Sequence, residues 1–112
     1  MDPQIGGWES AIGVGELTAD KATRVNVSGL DVLVLKHGET IFAVANRCTH
    51  QGAPLDKGVV KGSELVPTVT CPAHGSVFSL IDGSARRGPA SQPVQAFEVR
   101  VNEGTVEIRS RG

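Results

Sequence analysis

The sequence predicts a small all-β fold, antiparallel throughout, and three observations carry that reading. Val is the commonest residue, with fifteen copies among 112, and β-branched side chains suit a pleated, half-buried surface. Near the C-terminus Phe97, Val99 and Val101 alternate with Glu98 and Arg100; after Asn102-Glu103-Gly104 the alternation resumes at Val106 and Ile108. Period two on both sides of a glycine turn marks a β-hairpin. No stretch holds a 3.6-residue apolar period over a dozen residues.

The elements follow in chain order. Thr18–Ala22 is the best helical candidate, and it is short and weak. Strands are expected at Arg24–Val27, before Ser28-Gly29, at Val32–Lys36, before His37-Gly38, and at Ile41–Ala45. The last two make a hairpin about Gly38. From Asn46 to about Ser91 loops dominate, with short strands at Leu65–Thr70 and Val77–Leu80. The chain thus reads as a single domain over 1–112, with a base scaffold from 1–45 and 92–112 and a loop-rich insertion over 46–91. Trp8 is expected to anchor the core, His37 to be a solvated turn residue, and Arg86-Arg87 to be a solvated pair.

Composition excludes several functions. Eleven Lys and Arg against twelve Asp and Glu leave a charge of −1, without the basic surplus that nucleic acid or an anionic membrane calls for. The longest unbroken apolar run, Ile41–Ala45, has five residues, too few to cross a bilayer. The N-terminus carries no basic region followed by an apolar stretch, so no signal peptide is expected and the location is expected to be cytoplasmic. Two cysteines are too few for a disulfide-stapled scaffold or a four-cysteine metal site. The charge is uneven. Residues 46–91 hold five basic side chains (Arg47, Lys57, Lys61, Arg86, Arg87) against three acidic ones, and the remainder six against nine. An acidic partner surface would suit the insertion.

Both cysteines and two of the three histidines fall in two short motifs, Cys48-Thr49-His50 and Cys71-Pro72-Ala73-His74, which together give C-x-H-x20-C-x-x-H. Each motif offers one thiolate and one imidazole from a tight turn. Gly52 and Gly75 allow the backbone positive φ or close approach there, and Pro54 and Pro72 stiffen the loops. Two thiolates and two imidazoles satisfy a tetrahedral zinc ion. They equally satisfy a two-iron, two-sulfide cluster with histidines in place of cysteines on one iron. Zinc knuckles take both cysteines from one turn, whereas here each turn gives one, which favours the cluster. Cys–His nucleophilic chemistry fits poorly, since neither motif has a third residue to orient the imidazole.

The segments CTHQGAPL at 48–55 and CPAHGSVF at 71–78 resemble the two signature boxes of Rieske iron–sulfur proteins, and Gly88-Pro89-Ala90 is similar to that family's third, proline-bearing loop. The likeness runs over roughly residues 8–108. It implies an antiparallel Rieske-type β scaffold carrying a cluster-binding subdomain, and one [2Fe-2S] cluster. By the same resemblance Cys48 and Cys71 bind the inner iron, and His50 and His74 bind the outer one through Nδ1. Ser76 matches a serine that donates a hydrogen bond to a cluster sulfur. Phe78 stands where high-potential members have a tyrosine donor, and Ala53 and Ala73 stand where they have the cysteines of a bracing disulfide. A cluster held by two thiolates and two neutral imidazoles is uncharged when oxidised, where four thiolates would leave a dianion, so an electron enters more readily. With few donors to sulfur, a potential in the lower half of the roughly −150 to +300 mV Rieske range is expected. The twenty residues between the boxes exceed the family's usual interval by a few, an excess assigned to Val59–Leu65.

The resemblance further implies a Rieske-type ferredoxin, a soluble one-electron carrier that is not itself an enzyme. Such a carrier takes electrons from a flavoprotein ferredoxin reductase and passes them to a terminal oxygenase with non-haem iron. It is expected to be a monomer with no nucleic-acid or membrane partner. With the domain running to about the end of the 112 residues, no flavin, mononuclear iron centre or membrane anchor is expected beside it. Two alternatives stand beside it: the small subunit of a nitrite-reductase-like complex, and a structural zinc module.

Overall fold

Strand β3 (Leu30–His37) organises the architecture of the computed structural model, which describes residues 5–61 and 66–111. Its four central residues, Val32, Leu33, Val34 and Leu35, are all fully buried, although successive side chains on a strand point to opposite faces. Val32 and Val34 join one apolar core with Val27, Ala43, Phe97, Val106 and Ile108. Leu33 and Leu35 join a second core with Val44, Leu55, Val69, Phe78 and both cysteines. The strand is a wall shared by two cores, which is why it reads as an unbroken apolar run and not as an alternation.

Three antiparallel sheets surround that wall. The central one places β3 between β2 (Thr23–Val27) and β4 (Thr40–Ala45), with Leu33 opposite Val44 and Val34 opposite Ala43. A second sheet runs in the order β1 (Glu9–Gly13), β10 (Thr105–Ser110), β9 (Phe97–Asn102) and closes the core of Val32 and Val34. The third runs β5 (Val59–Lys61), β6 (Thr68–Thr70), β7 (Val77–Ser79), β8 (Ala85–Arg87) and closes the other core. A bridge from Val44 to Ala96 and a bond from the Ala45 N–H to the Gln95 carbonyl (2.8 Å) tie the central sheet to the segment leading into β9. Among the described residues no helix is long and apolar enough to cross a membrane.

The all-β antiparallel expectation holds, and the strands expected from period two form within a residue or two of their expected ends. Thr18–Ala22 forms no helix. Asp20 takes φ 61, its N–H donates to the Lys36 carbonyl at 2.8 Å, and Lys21 N–H closes a turn onto Thr18. Five residues are too few to offset helix nucleation. The helical turns among the described residues are two 3-10 turns, Val14–Glu16 and Leu55–Lys57. The strand expected from Leu65 begins at Thr68, after Pro67, which has no N–H to give a ladder. Leu65 itself, and with it the end of the long interval assigned to Val59–Leu65, lies outside the described residues.

Two side chains sit differently from expectation. Trp8 is half-buried and belongs to neither core; the guanidinium carbons of Arg100 and Arg109 lie 4.5 and 4.4 Å from its ring centroid. A flat ring with a negative face attracts both cations, which also pair with Glu107 and Glu98 at 2.6 Å each. His37 closes β3 with Nδ1 2.5 Å from Asp20 Oδ1, so it is paired and not merely solvated. Arg86 and Arg87 are exposed on β8, as expected.

Candidate metal centre

Each motif folds into a closed turn, and the two turns share one hydrogen-bond pattern. In the first, Cys48 N–H donates to the Ala53 carbonyl (2.9 Å) and Gly52 N–H donates back to the Cys48 carbonyl (2.7 Å). In the second, Cys71 N–H donates to Ser76 (2.7 Å) and Gly75 N–H to Cys71 (3.2 Å). Gly52 and Gly75 hold φ of 77 and 79, a left-handed conformation that a Cβ would strain. Both turns therefore reverse just after their histidine, whether one or two residues separate the ligands.

The reversal sorts the ligands by depth. Cys48 and Cys71 are each 3% exposed and lie in one core, while His50 and His74 are exposed. The imidazole centroids are 5.2 Å apart with their planes at 88°. All four residues singled out in the sequence thus meet at one end of the molecule, thiols inside and imidazoles outside. Ser76 is fully buried beside them; its Oγ accepts the Ala90 N–H at 2.9 Å. Among the described residues its hydroxyl proton has no acceptor, so a donor remains available there.

The donor set fits a [2Fe-2S] group. In a two-iron cluster with mixed ligands, each iron takes only two protein donors. Cys48 and Cys71 are free and buried, and with the buried Ser76 hydroxyl they would offer soft donors and a hydrogen-bond donor on the inner side.

What fixes the turns was not visible in the motifs. Asn46, 2% exposed, stands two residues before Cys48. Its Nδ2 donates to Asp56 Oδ1 (2.6 Å) and Asp31 Oδ2 (3.2 Å), and its Oδ1 accepts the Asp56 N–H (2.7 Å). One amide therefore bolts both ends of the first turn to β3. Asp31 also pairs with Arg24 Nε at 2.7 Å, which raises the guanidinium pKa first through the hydrogen bond and then through charge. Asn46→Leu should cost about 3 kcal/mol, because it takes the amide partner from the part-buried Asp56 N–H and from the Asp56 carboxylate, and leaves Asp31 with Arg24 alone. Urea unfolding measures this, and an unchanged midpoint would remove Asn46 from the support of the site.

The second turn is set against the first by Gly58. A Cβ there would fall inside the contact radius of the Thr70 carbonyl oxygen, the residue before Cys71. Glycine at 58 lets the chain leaving the first turn touch the chain arriving at the second. Arg47 lies exposed across Gly52, whose added Cβ would stand 3.1 Å from its Nε. An open cleft of about 850 Å³ adjoins it, lined by Thr49, His50, Gln51 and Gln92 among others.

Known proteins share this arrangement. A family model described as the Rieske [2Fe-2S] domain matches residues 7–98. Over 102 residues the chain is 29% identical to "Ferredoxin CarAc" of Metapseudomonas resinovorans, covering 90% of this chain and 92% of that protein. The solved ferredoxin of carbazole 1,9a-dioxygenase from Nocardioides aromaticivorans IC177 superposes with a TM-score of 0.86 and 26% identity, over 95% of this chain and 100% of that one. A solved complex of reduced oxygenase and oxidised ferredoxin in carbazole 1,9a-dioxygenase contains a chain that superposes at 0.83 with 28% identity, over 94% of this chain and 96% of that one.

Proposed function

Because this chain belongs to the Rieske [2Fe-2S] domain family, we propose that it is a one-electron carrier, the ferredoxin of a ring-hydroxylating or related oxygenase system. The observation that carries this reading is the end-to-end likeness to ferredoxin components of dioxygenases. A Rieske-type [2Fe-2S] cluster, when bound, supplies one-electron chemistry at a potential above that of four-cysteine clusters. Cys48 and Cys71 hold the inner iron, and His50 and His74 the outer; the burial of the thiols and the exposure of the imidazoles support that assignment. Ser76 directs its remaining proton toward a sulfur. Phe78, fully buried, has no hydroxyl to add a second donor, which supports a potential low in the family's range.

The chain catalyses no substrate conversion itself. It works as a cytoplasmic monomer between a flavoprotein reductase and a terminal oxygenase, and the solved oxygenase–ferredoxin complex supports the second partner. The imidazoles are the part of the site that a partner touches. Arg47, exposed beside His50 over Gly52, with Arg86 and Arg87 on β8, gives that end of the molecule positive charge. An acidic surface on the oxygenase would match it. The second-order rate of electron delivery should fall as salt rises; a flat salt profile would overturn the charge complementarity.

One preparation tests the reading. Purified protein should be coloured, hold two irons and two acid-labile sulfides per chain, and give an EPR signal after dithionite. Colourless protein holding zinc and no sulfide would replace the carrier with a structural module. On size exclusion from native extract it should elute alone; co-elution with a large partner would make it a fixed subunit.

A further inference from the structure

We propose that the open cleft beside His50 is the docking site for the electron acceptor, and that Arg47 selects that protein by pairing with one of its carboxylates. The inference rests on the carrier reading above and deepens it, from a charged end of the molecule to one face of that end. The cleft, about 850 Å³, reaches the first ligand turn at Cys48, Thr49 and His50, and no residue of the second turn lines it. A partner seated there contacts His50 without needing the second turn. The walls also include Leu30, Ala45 and Val94. These apolar groups hold little water, so an ion pair covered there is screened less than one on an open surface.

The charges of the cleft single out Arg47. Asp31 also lines it, but its carboxylate is met within the chain by Arg24 Nε at 2.7 Å and Asn46 Nδ2 at 3.2 Å. Arg24, Arg100 and Arg109 each have a carboxylate of their own. Arg47 is exposed, and among the described residues no carboxylate pairs with it. Its guanidinium is nevertheless placed. A Cβ added at Gly52 would stand 3.1, 3.3 and 3.5 Å from Arg47 Nε, Nη2 and Cζ, so the planar group lies flat on the glycine. Its backbone follows Asn46, whose amide is bonded to Asp31 and Asp56. A fork held in place before its partner arrives loses little freedom on pairing. Carboxylate is the group whose two oxygens match it.

The probe is succinylated cytochrome c, a haem protein whose lysines have been converted to carboxylates, with native, basic cytochrome c as its counterpart. Each takes one electron: the chain's cluster is oxidised, the haem iron is reduced from ferric to ferrous, and no proton or third reactant is needed. Calorimetry on the oxidised full-length protein gives the affinity, stopped flow after dithionite the rate, and voltammetry the potential. At low salt Arg47→Gln should weaken binding of the succinylated protein, and slow its reduction, by about threefold or more, at an unchanged potential. Arg86→Gln, which removes the same charge from β8, should change both by less than about twofold. Neither variant should slow the reduction of native cytochrome c. Parental affinity in Arg47→Gln would overturn the proposal. So would an equal loss in Arg86→Gln, which assigns the effect to net charge, slowing with both cytochromes, or a shift in potential that accounts for the whole change in rate. If Arg47→Gln does not load, Arg47→Met takes its place under the same criteria. A parent without sulfide would sink the proposed function and the docking cleft together; a loaded parent whose Arg47→Gln variant binds as it does sinks the cleft alone.

Discussion

Gly58→Ala is expected to lower stability by about 3 kcal/mol, the upper end for forcing one carbon into filled space, and to empty the metal centre. The added Cβ meets the Thr70 carbonyl oxygen, a backbone atom with nowhere to go. Thr70 is paired with Val59 on one side and with Val77 on the other, and its movement drags Cys71. Gly58 N–H also closes the Leu55–Lys57 turn onto the Leu55 carbonyl at 2.9 Å, so neither side of the contact yields cheaply. Urea unfolding and iron content per chain read the two effects. Gly7→Ala is the control, since a Cβ there meets nothing within 4 Å. Equal midpoints for the two variants would show that the close approach is not needed.

Cys71→Ala is expected to remove all acid-labile sulfide, whereas His50→Cys is expected to retain it at a potential lower by on the order of 100 mV or more. The two substitutions differ in charge and in depth. Cys71 is 3% exposed in the core, and its loss takes an anionic donor from the iron that has no imidazole. His50 is exposed, and a thiolate in its place adds a negative charge, which disfavours the incoming electron. Sulfide analysis and voltammetry decide both. Full sulfide in Cys71→Ala, or an unchanged potential in His50→Cys, would overturn the ligand assignment.

The sequence displayed most of the chemistry because the chemistry is local. Cys48 with His50 and Cys71 with His74 announce themselves by residue type and spacing, and the hairpin from Phe97 to Ser110 by period two over both strands. What escaped depends on contacts between distant residues. β5 and β8 have three residues each, too few to show a period. β1 slips register between Ser10 and Ile12, and a bulge breaks alternation. Asn46 looks like any polar residue in a loop until Asp31 and Asp56 are brought to it. Thr49 looks like a spacer until Gln92 arrives from 43 residues away. Trp8 lies outside both cores because hydrophobicity says that a ring wants cover, not whether leucines or two guanidinium groups provide it.

The divided loyalty of β3 bears on how the molecule fails. Leu33 and Leu35 belong to the core beneath the ligand turns, and Val32 and Val34, on the same four-residue run, to the core at the opposite end. A backbone segment cannot melt on one face alone, so neither half has an independent melting transition. Whatever binds only the native form stabilises every part that unfolds with it. A cluster held by Cys48, Cys71, His50 and His74 would therefore protect β1 and β10 as well as the turns, and its loss would expose all of them to proteolysis.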